Sequence, residues 1–230
     1  MMKKKAILVV MPLLLVMLAH AWDIDGDGIQ DGDDNCYNYY NPGQEDSNID
    51  GIGDACDIVE HTIYLNQGWN LVSFPLDFGL ITAKSLSDTL NGSLDSIFFY
   101  YRNETYEGWH GFIPDSNTST LNVFNPSYGF WMKLKGPINL TLRAPKIYSA
   151  TQKVYAGWNL IGYPWDIMAV GDAFGSELGY FDKMFIYNAN WSSWIYNRPF
   201  NSFDKVVPGY GIWIGTRQDR NWTINNGTIS

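Results

Sequence analysis

The chain of 230 residues contains little histidine, little cysteine and few basic residues. It has three histidines, two cysteines, and 15 lysines and arginines against 24 aspartates and glutamates. Nucleic-acid binding depends on clustered lysine and arginine to neutralise phosphates, and the sequence contains no basic patch of that kind. The composition therefore argues against a nucleic-acid partner.

Recognisable catalytic motifs are also missing. His61 and His110 fall in the same half of the chain, and neither has a counterpart in the other half. No G-x-S-x-G or H-E-x-x-H motif occurs. Carboxylates that could form a glycosidase pair exist, but no local context singles any of them out: Asp95, Glu104, Glu107, Asp115, Asp166, Asp172 and Glu177. The sequence predicts a protein that is not an enzyme, with no catalytic residue.

Only one long apolar run occurs, and it lies at the N-terminus. Three lysines precede a run from Ala6 to Ala19, which ends in the small-x-small pattern Ala19-His20-Ala21. This pattern is typical of a secretory signal peptide, residues 1–21, that is cleaved before Trp22. The alternative is an uncleaved anchor, although the run is shorter than the roughly 20 residues that a membrane span needs. We expect a secreted, extracellular or cell-surface protein with no transmembrane span after signal removal.

Residues 22–57 contain 11 of the 24 acidic residues and no lysine or arginine. They form two copies of one acidic loop, with a glycine at position 6 (Gly28 and Gly51) and an isoleucine at position 7 (Ile29 and Ile52). The side chains at positions 1, 3, 5, 9 and 12 are Asp23, Asp25, Asp27, Asp31 and Asp34 in the first copy, and Asp46, Asn48, Asp50, Asp54 and Asp57 in the second. This is the ligand spacing of a calcium loop.

Calcium suits these loops better than the other common metals. It accepts six to eight hard oxygens in flexible geometry, here side-chain oxygens and the carbonyl oxygens of Ile29 and Ile52. Magnesium prefers a smaller octahedral shell, and zinc prefers histidine and cysteine. We predict about two or more structural Ca²⁺ ions, and a segment that is disordered when calcium is removed.

The whole segment from Asp23 to Asp57 closely resembles a thrombospondin type 3 repeat. The shared pattern is D-x-D-x-D-G-x-x-D-x-x-D-N-C-x5-P-x-Q-x-D-x-[DN]-x-D-G-x-G-D-x-C-D, and it covers about 35 of the 230 residues. Asn48 replaces an acidic ligand, and Tyr37 stands where the family often has proline. The resemblance implies a calcium-wrapped extracellular spacer with a disulfide. The two cysteines, Cys36 and Cys56, are the only ones in a chain that we expect to be exported, which also argues for one intramolecular disulfide.

The rest of the chain is an internal duplication. The segment from Gly68 to Pro75 matches that from Gly157 to Pro164, and the segment from Asn125 to Trp131 matches that from Val207 to Trp213. Between them, residues 97–100 match residues 184–187. We predict three domains after the signal peptide: a calcium-binding module at 22–58 and two homologous β-modules at 59–146 and 147–230. The GWNL and YGhW motifs resemble those of a duplicated module in prokaryotic surface proteins.

Both copies combine aromatic and β-branched runs with glycine, proline and asparagine, which predicts a mainly β fold. One weakly helical stretch occurs in each copy, at 82–90 and 170–178. We expect each module to be a small β-sandwich or barrel with one short helix. The predicted strands are 62–65, 70–74, 96–101 and 130–134, and then 151–155, 159–163, 183–187, 194–196 and 211–215.

The tryptophans divide into two groups. Those in polar, loop-like surroundings are candidate ligand-contact residues, either for sugars or for another partner, and structural packing is the alternative: Trp109, Trp191, Trp194 and Trp222. Those in the repeated motifs are expected in the core or between sheets: Trp69, Trp131, Trp158 and Trp213.

Seven N-x-[ST] sequons occur, all outside the acidic loops: Asn91, Asn103, Asn117, Asn139, Asn190, Asn221 and Asn226. Such sequons mark exposed loops in exported chains. Together these features predict a non-enzymatic, calcium-binding protein with a structural or adhesive role, whose partner is a cell-envelope or extracellular protein or glycan. The alternative is an extracellular carbohydrate-binding protein or an accessory unit of a polysaccharide-degrading enzyme.

Overall fold

The computed structural model describes residues 22–78, 82–117, 119–121, 124–164 and 166–225. The expected signal peptide and the sequon at Asn226 lie outside these ranges. No helix among the described residues is long and apolar enough to span a membrane.

The N-terminal module consists of turns and bends, with no helix or strand anywhere in residues 22–57, all of which are described. Its buried side chains are few and mostly polar, and they include Asp27, Cys36 and Asn41. The predicted disulfide between Cys36 and Cys56 is confirmed. A cross-link and polar contacts therefore take the place of an apolar core in this module.

The first β-module begins at Ile58, one residue before the predicted boundary. Its elements are β1 (Ile58–Leu65), β2 (Gly68–Ser73), α1 (Ala83–Thr89), β3 (Leu94–Arg102), β4 (Glu107–Phe112), β5 (Gly129–Leu134) and β6 (Ile138–Pro145). One antiparallel sheet has the strand order β2-β5-β3-β4, and β1 pairs with β6 in a second sheet.

The second β-module repeats this arrangement. Its elements are β7 (Ser149–Val154), β8 (Gly157–Gly162), β9 (Met168–Ala169), α2 (Val170–Phe174), a 3₁₀ helix (Gly175–Tyr180), β10 (Phe181–Asn188), β11 (Asn190–Ile195), β12 (Lys205–Val206), β13 (Gly211–Thr216) and β14 (Arg220–Asn225). The strand order β8-β13-β10-β11 and the pair β7-β14 correspond to the two sheets of the first module, and β9-β12 is a small addition.

Each β-module has its own apolar core on one face of its four-stranded sheet. Strand alternation explains which side chains enter it, because successive residues point to opposite faces. In β5, Phe130, Met132 and Leu134 are buried in the first core, while Trp131 and Lys133 point to the opposite face. The prediction of a mainly β fold with two similar modules and short helices is thereby confirmed.

The G-W-N part of each repeated motif begins the second strand of its module, directly after the turn that follows the first strand. Gly68 and Gly157 have φ of 86° and 105°, a region in which glycine is favoured. Asn70 then closes the turn: its Oδ1 accepts from the Asn66 N–H at 2.8 Å, and its Nδ2 donates to the Asn66 carbonyl at 2.9 Å. Asn159 makes the same pair of bonds to Tyr155 at 2.9 and 2.7 Å.

Three long strands were not predicted. β4 contains two glycines in EGWHGF, which weakened its strand signal, and β6 and β14 are mostly polar on their exposed faces. They form because partner strands supply their hydrogen bonds, which is a tertiary effect that the local sequence does not report. The predicted helix at 170–178 changes to 3₁₀ geometry at Gly175.

Candidate functional site

The face of each four-stranded sheet that points away from its core carries five aromatic side chains. They occupy matching positions in the two modules, and we call the ten together the aromatic cleft: Trp69, Phe98, Tyr100, Trp109 and Trp131 from the first module, and Trp158, Phe185, Tyr187, Trp191 and Trp213 from the second.

The two sheets meet through these faces with approximate twofold symmetry. The ring centroids of Tyr100 and Trp213 are 5.5 Å apart, and those of the matching pair, Tyr187 and Trp131, are 5.4 Å apart. Trp109 lies 5.9 Å from Trp213, and Trp191 lies 5.6 Å from Trp131. Each of these four ring pairs therefore combines one ring from the first module with one ring from the second.

Glycines allow the two backbones to approach closely at the centre of this interface. A Cβ on Gly129 would lie 2.6 Å from the Ile161 carbonyl oxygen, and one on Gly211 would lie 2.7 Å from the Val72 carbonyl oxygen. Both distances are shorter than a real Cβ contact. The glycine of each YGhW motif is thus required by contact with the other module.

Hydrogen bonds and apolar packing hold the same central region. The Ser73 N–H donates to the Gly209 carbonyl at 3.0 Å, and the matching Gly162 N–H donates to the Ser127 carbonyl at 2.8 Å. Leu71 and Leu160 are buried here and belong to neither module's own core. The interface is therefore packed at its centre and lined with aromatic rings around it.

Two open pockets lie in the cleft, with volumes of about 550 and 630 Å³. The first is lined by Trp69, Phe98, Trp109, Trp131, Tyr187 and Trp191, and the second by Tyr100, Trp109, Trp158, Phe185, Trp191 and Trp213. Trp109 and Trp191 line both pockets, so the two are adjacent. Every one of these lining residues is aromatic.

The cleft exposes both ring surface and hydrogen-bond donors. Trp109 and Trp191 are 51% and 56% exposed, and Trp69 and Trp158 are 41% and 42% exposed. Across the parts of the chain that the structure describes, none of the six cleft indoles hydrogen-bonds to protein. Tyr100, in contrast, hydrogen-bonds Glu107. The pKa of the Tyr100 phenol is raised, mainly because the phenol is partly buried and also because the Glu107 carboxylate is close.

The tertiary structure changes the assignment of the repeated tryptophans. Trp69 and Trp158 were expected in the core or between sheets, and the core placement is wrong: both line the cleft on the sheet face that points away from the core, and both are substantially exposed. Trp131 and Trp213 do lie between the two sheets, with partly exposed rings. The alternation of β2 and β8 explains the error: Asn70 and Val72 face inward, so Trp69 faces outward.

The four candidate ligand-contact tryptophans divide into two pairs. Trp109 and Trp191 lie on strands β4 and β11 and belong to the cleft. Trp194 points to the other face of β11, where it packs against the second core. Trp222 follows the packing alternative and not ligand contact: it lies in β14, is 3% exposed, and stacks on Phe174 at 4.8 Å between centroids.

Eight of the ten cleft residues were not identified from the sequence as candidates for ligand contact. The four repeated tryptophans were assigned to packing, and four further rings were not singled out at all: Phe98, Tyr100, Phe185 and Tyr187. Their signal was present, because aromatic residues recur at alternate positions in the repeated segments 97–100 and 184–187. They could be identified as cleft residues only once the structure showed which face of the sheet carries them.

The first acidic loop brings its leading carboxylates together. Oxygens of Asp23, Asp25 and Asp27 lie within 4.8 Å of one another. The Asp23 carboxylate accepts from the N–H groups of Gly26 at 2.8 Å and Gly28 at 3.1 Å, which curls the chain around it. Gly28 has φ of 96°, as position 6 of the loop requires.

The second acidic loop repeats this geometry. The Asp46 carboxylate accepts from Asp50 N–H at 3.2 Å and Gly51 N–H at 2.9 Å, and Gly51 has φ of 89°. The carboxylates at position 9 also make matching bonds to the N–H of position 2. Asp31 accepts from the Ile24 N–H at 2.9 Å, and Asp54 accepts from the Ser47 N–H at 2.8 Å. The two loops thus share the hydrogen bond from position 6 to position 1, the hydrogen bond from position 2 to position 9, and the positive φ at position 6.

The oxygens of the first loop fit a hard cation. Asp25 Oδ2 and Asp34 Oδ2 are buried, and neither has a hydrogen-bond partner among the described residues. Burial, together with the charges of Asp27, Asp34 and Asp23, raises the pKa of the Asp25 carboxyl. Buried anionic oxygens without donors favour a positive ion nearby, and a donor set made entirely of oxygen suits Ca²⁺.

The second loop contacts the segment that joins the two β-modules. The Tyr148 hydroxyl donates to the Asp57 carboxylate and accepts from Asn48 Nδ2 at 3.0 Å. The Lys146 N–H donates to the Asp57 carbonyl at 3.1 Å. Positions 3 and 12 of this loop are therefore held by a residue of the body.

Five of the predicted glycosylation asparagines are exposed: Asn91, Asn117, Asn139, Asn190 and Asn221. Asn103 is partly buried, and its Nδ2 donates to the Tyr101 hydroxyl at 3.1 Å. Among the candidate catalytic acids, Glu177 pairs with Arg220 at 2.8 Å, Glu104 with Lys153 at 2.5 Å and Asp95 with Lys133 at 3.2 Å. These three carboxylates are engaged in ion pairs.

Comparison of this chain with protein-family models, with curated proteins and with solved structures found no match.

Proposed function

We propose that this protein is an exported, non-enzymatic, calcium-binding protein with an adhesive or structural role in the cell envelope or extracellular matrix, and that it binds its partner in the aromatic cleft. One observation carries this proposal: five aromatic positions, each present in both modules, form one open surface of ten rings, four of them exposed and six partly buried. Exposed apolar surfaces of this kind mark binding sites, and tryptophan and tyrosine are the usual anchors of such sites.

Calcium has a structural part in this proposal. The N-terminal module carries 11 acidic residues and no basic residue, so its charges repel one another unless cations neutralise them. The shared loop geometry and the unpartnered oxygens of Asp25 and Asp34 support Ca²⁺ as that cation. A loaded module, attached to the junction through Tyr148, would form an ordered N-terminal extension of the two β-modules.

The second candidate function is that of a carbohydrate-binding protein or accessory unit acting beside a polysaccharide-degrading enzyme. It is favoured by the exposed indole faces of Trp109 and Trp191, which are suited to stacking on sugar rings. This candidate shares the cleft with the first, and the two differ in the chemistry of the partner.

A direct binding measurement tests the proposed site. Labelled protein is titrated onto isolated cell envelopes of the source organism, with calcium present. The double variant Trp109→Ala with Trp191→Ala should bind at least tenfold more weakly than the wild type. Phe200→Ala is the matched control, because Phe200 is 87% exposed and lies outside the cleft.

Equal binding by the double variant and the control would contradict the assignment of the cleft. Release of soluble sugar or peptide fragments from the envelopes by the wild type would contradict the non-enzymatic part.

A further inference from the structure

We propose that the partner of the aromatic cleft is a neutral, linear polysaccharide whose sugar rings stack in both pockets. This inference rests on the proposed binding function and specifies the ligand for the same site. It follows from the charge, the hydrogen-bonding capacity, the strand edges and the symmetry of the cleft.

The lining indicates a neutral ligand. All ten residues that line the two pockets are aromatic, and none of them carries a charge at neutral pH. The charged groups at its border are already paired: Lys133, 5.8 Å from the centroid of the Trp69 ring, pairs with Asp95 at 3.2 Å, and Glu107 pairs with Arg102 at 3.4 Å. A charged ligand placed against this surface would therefore lose water without gaining an unpaired opposite charge. The flat, C–H-rich face of a sugar ring matches an indole face without that loss.

The free donors distinguish a sugar from a hydrocarbon. Within the described residues, the six cleft indoles donate to no protein acceptor. A hydrocarbon chain that covered them would leave these N–H groups unpaired, which is costly. Sugar hydroxyl and ring oxygens accept hydrogen bonds at the edge of the same ring that stacks.

The strand edges beside the cleft argue against a peptide that binds by adding a strand to either sheet. On β4, the Gly111 carbonyl accepts from the N–H groups of Thr120 at 2.8 Å and Leu121 at 3.0 Å. On β11, the Ser193 carbonyl accepts from the Ser202 N–H at 3.0 Å, and the Ser193 N–H donates to Ser202 Oγ at 2.6 Å. The chain's own loops thus occupy part of each edge, which reduces the hydrogen bonds that an added peptide strand could form there.

The twofold symmetry indicates a ligand with repeating units. The two pockets present matching sets of rings and meet at Trp109 and Trp191. A linear homopolymer offers chemically identical sugar rings to both pockets, in opposite chain directions, and each ring has a face that can stack on an indole. Occupation of the second pocket is then intramolecular, so affinity should rise steeply with chain length.

Selective destruction of the envelope components tests the ligand class even while the sugar itself is unidentified. Periodate cleaves vicinal diols, and we expect it to reduce wild-type binding to isolated envelopes at least tenfold, while protease treatment of the envelopes changes binding less than twofold. The reverse pattern would overturn the polysaccharide inference and would identify a protein partner in the same cleft.

Defined probes test charge and chain length. Calorimetry with β-1,4-linked hexasaccharides of glucose, mannose and xylose should detect binding of at least one, at least tenfold tighter than its disaccharide. Oligogalacturonate should bind at least tenfold more weakly. Tighter binding of oligogalacturonate, or no binding of any neutral hexasaccharide, would overturn the inference.

Variants of the cleft tryptophans distinguish failure of the polysaccharide inference from failure of the proposed binding function. Trp109→Phe keeps an aromatic ring but removes the N–H, and should weaken hexasaccharide binding severalfold in protein with unchanged circular dichroism. Unchanged affinity would contradict the role given to the indole donors. If the double alanine variant loses envelope binding while no sugar binds, the cleft remains a binding site and only its ligand class is wrong.

Discussion

The Tyr148 hydroxyl donates a hydrogen bond to the carboxylate of Asp57, the last residue of the second acidic loop. Tyr148 is buried and lies between the two β-modules, so this bond ties the N-terminal module to their junction. The pKa of the Tyr148 phenol is raised, mainly because the phenol is buried and also because it donates a hydrogen bond to Asp57. The hydroxyl therefore remains protonated and available as a donor throughout the neutral pH range.

Removal of that hydroxyl should loosen the N-terminal module. In Tyr148→Phe, the ring still fills its site, but Asp57 and Asn48 each lose a partner. A hydrogen bond to a charged group contributes about 1.5–3 kcal/mol, so we expect a loss of that order in urea unfolding and a lower calcium affinity by calorimetry. Tyr64→Phe, at an exposed site, is the control, and identical behaviour of the two variants would refute the link.

Chelation of calcium should expose the N-terminal module selectively. In excess EGTA, we expect protease to cleave within residues 22–57, because the acidic side chains then repel one another. The two β-modules have their own apolar cores and should resist cleavage. Mass spectrometry of the fragments locates the cuts, and an intact N-terminal module in EGTA would contradict a structural role for the ion.

A matched pair of aspartates tests the first loop. Asp25→Ala removes a carboxylate with a buried, unpartnered oxygen, whereas Asp33→Ala removes an exposed one in the same loop that is not at a ligand position. Isothermal titration should detect one calcium ion fewer for Asp25→Ala and the wild-type number for Asp33→Ala. Equal stoichiometry in both variants would show that Asp25 is not a ligand.

A methyl group introduced at Gly129 should weaken the packing of the two β-modules against each other. A Cβ at Gly129 would clash with the Ile161 carbonyl, and overpacking of this kind costs about 1–3 kcal/mol. Gly136→Ala is the control, since nothing lies within 4 Å of its added Cβ. We expect Gly129→Ala to lower the thermal midpoint and to weaken envelope binding, and Gly136→Ala to do neither.

Two tryptophans with similar sequence surroundings should behave differently. Trp222 is buried against Phe174, so Trp222→Ala should cost about 3–5 kcal/mol in unfolding experiments. Trp191 is 56% exposed, so Trp191→Ala should cost clearly less while reducing binding. Equal destabilisation by both substitutions would contradict the placement of Trp191 on an open surface.

The mainly β fold and the disulfide were predictable because their signals are local. Turn residues, strand-forming runs and a repeated motif indicate strands over short distances, and two cysteines allow one pairing. The positions of the acidic side chains around each loop glycine are local as well. Gly28 and Gly51 adopt the positive φ values that the loop pattern requires.

The sequence by itself therefore determined the acidic loops, the duplication and the class of secondary structure. Only the tertiary structure decided which aromatic rings meet. Trp191 and Trp222 both follow asparagine in polar segments, yet one lines the cleft and the other enters a core. The difference arises because strand pairing sets the face to which each side chain points, and the packing of the two modules decides which faces remain open.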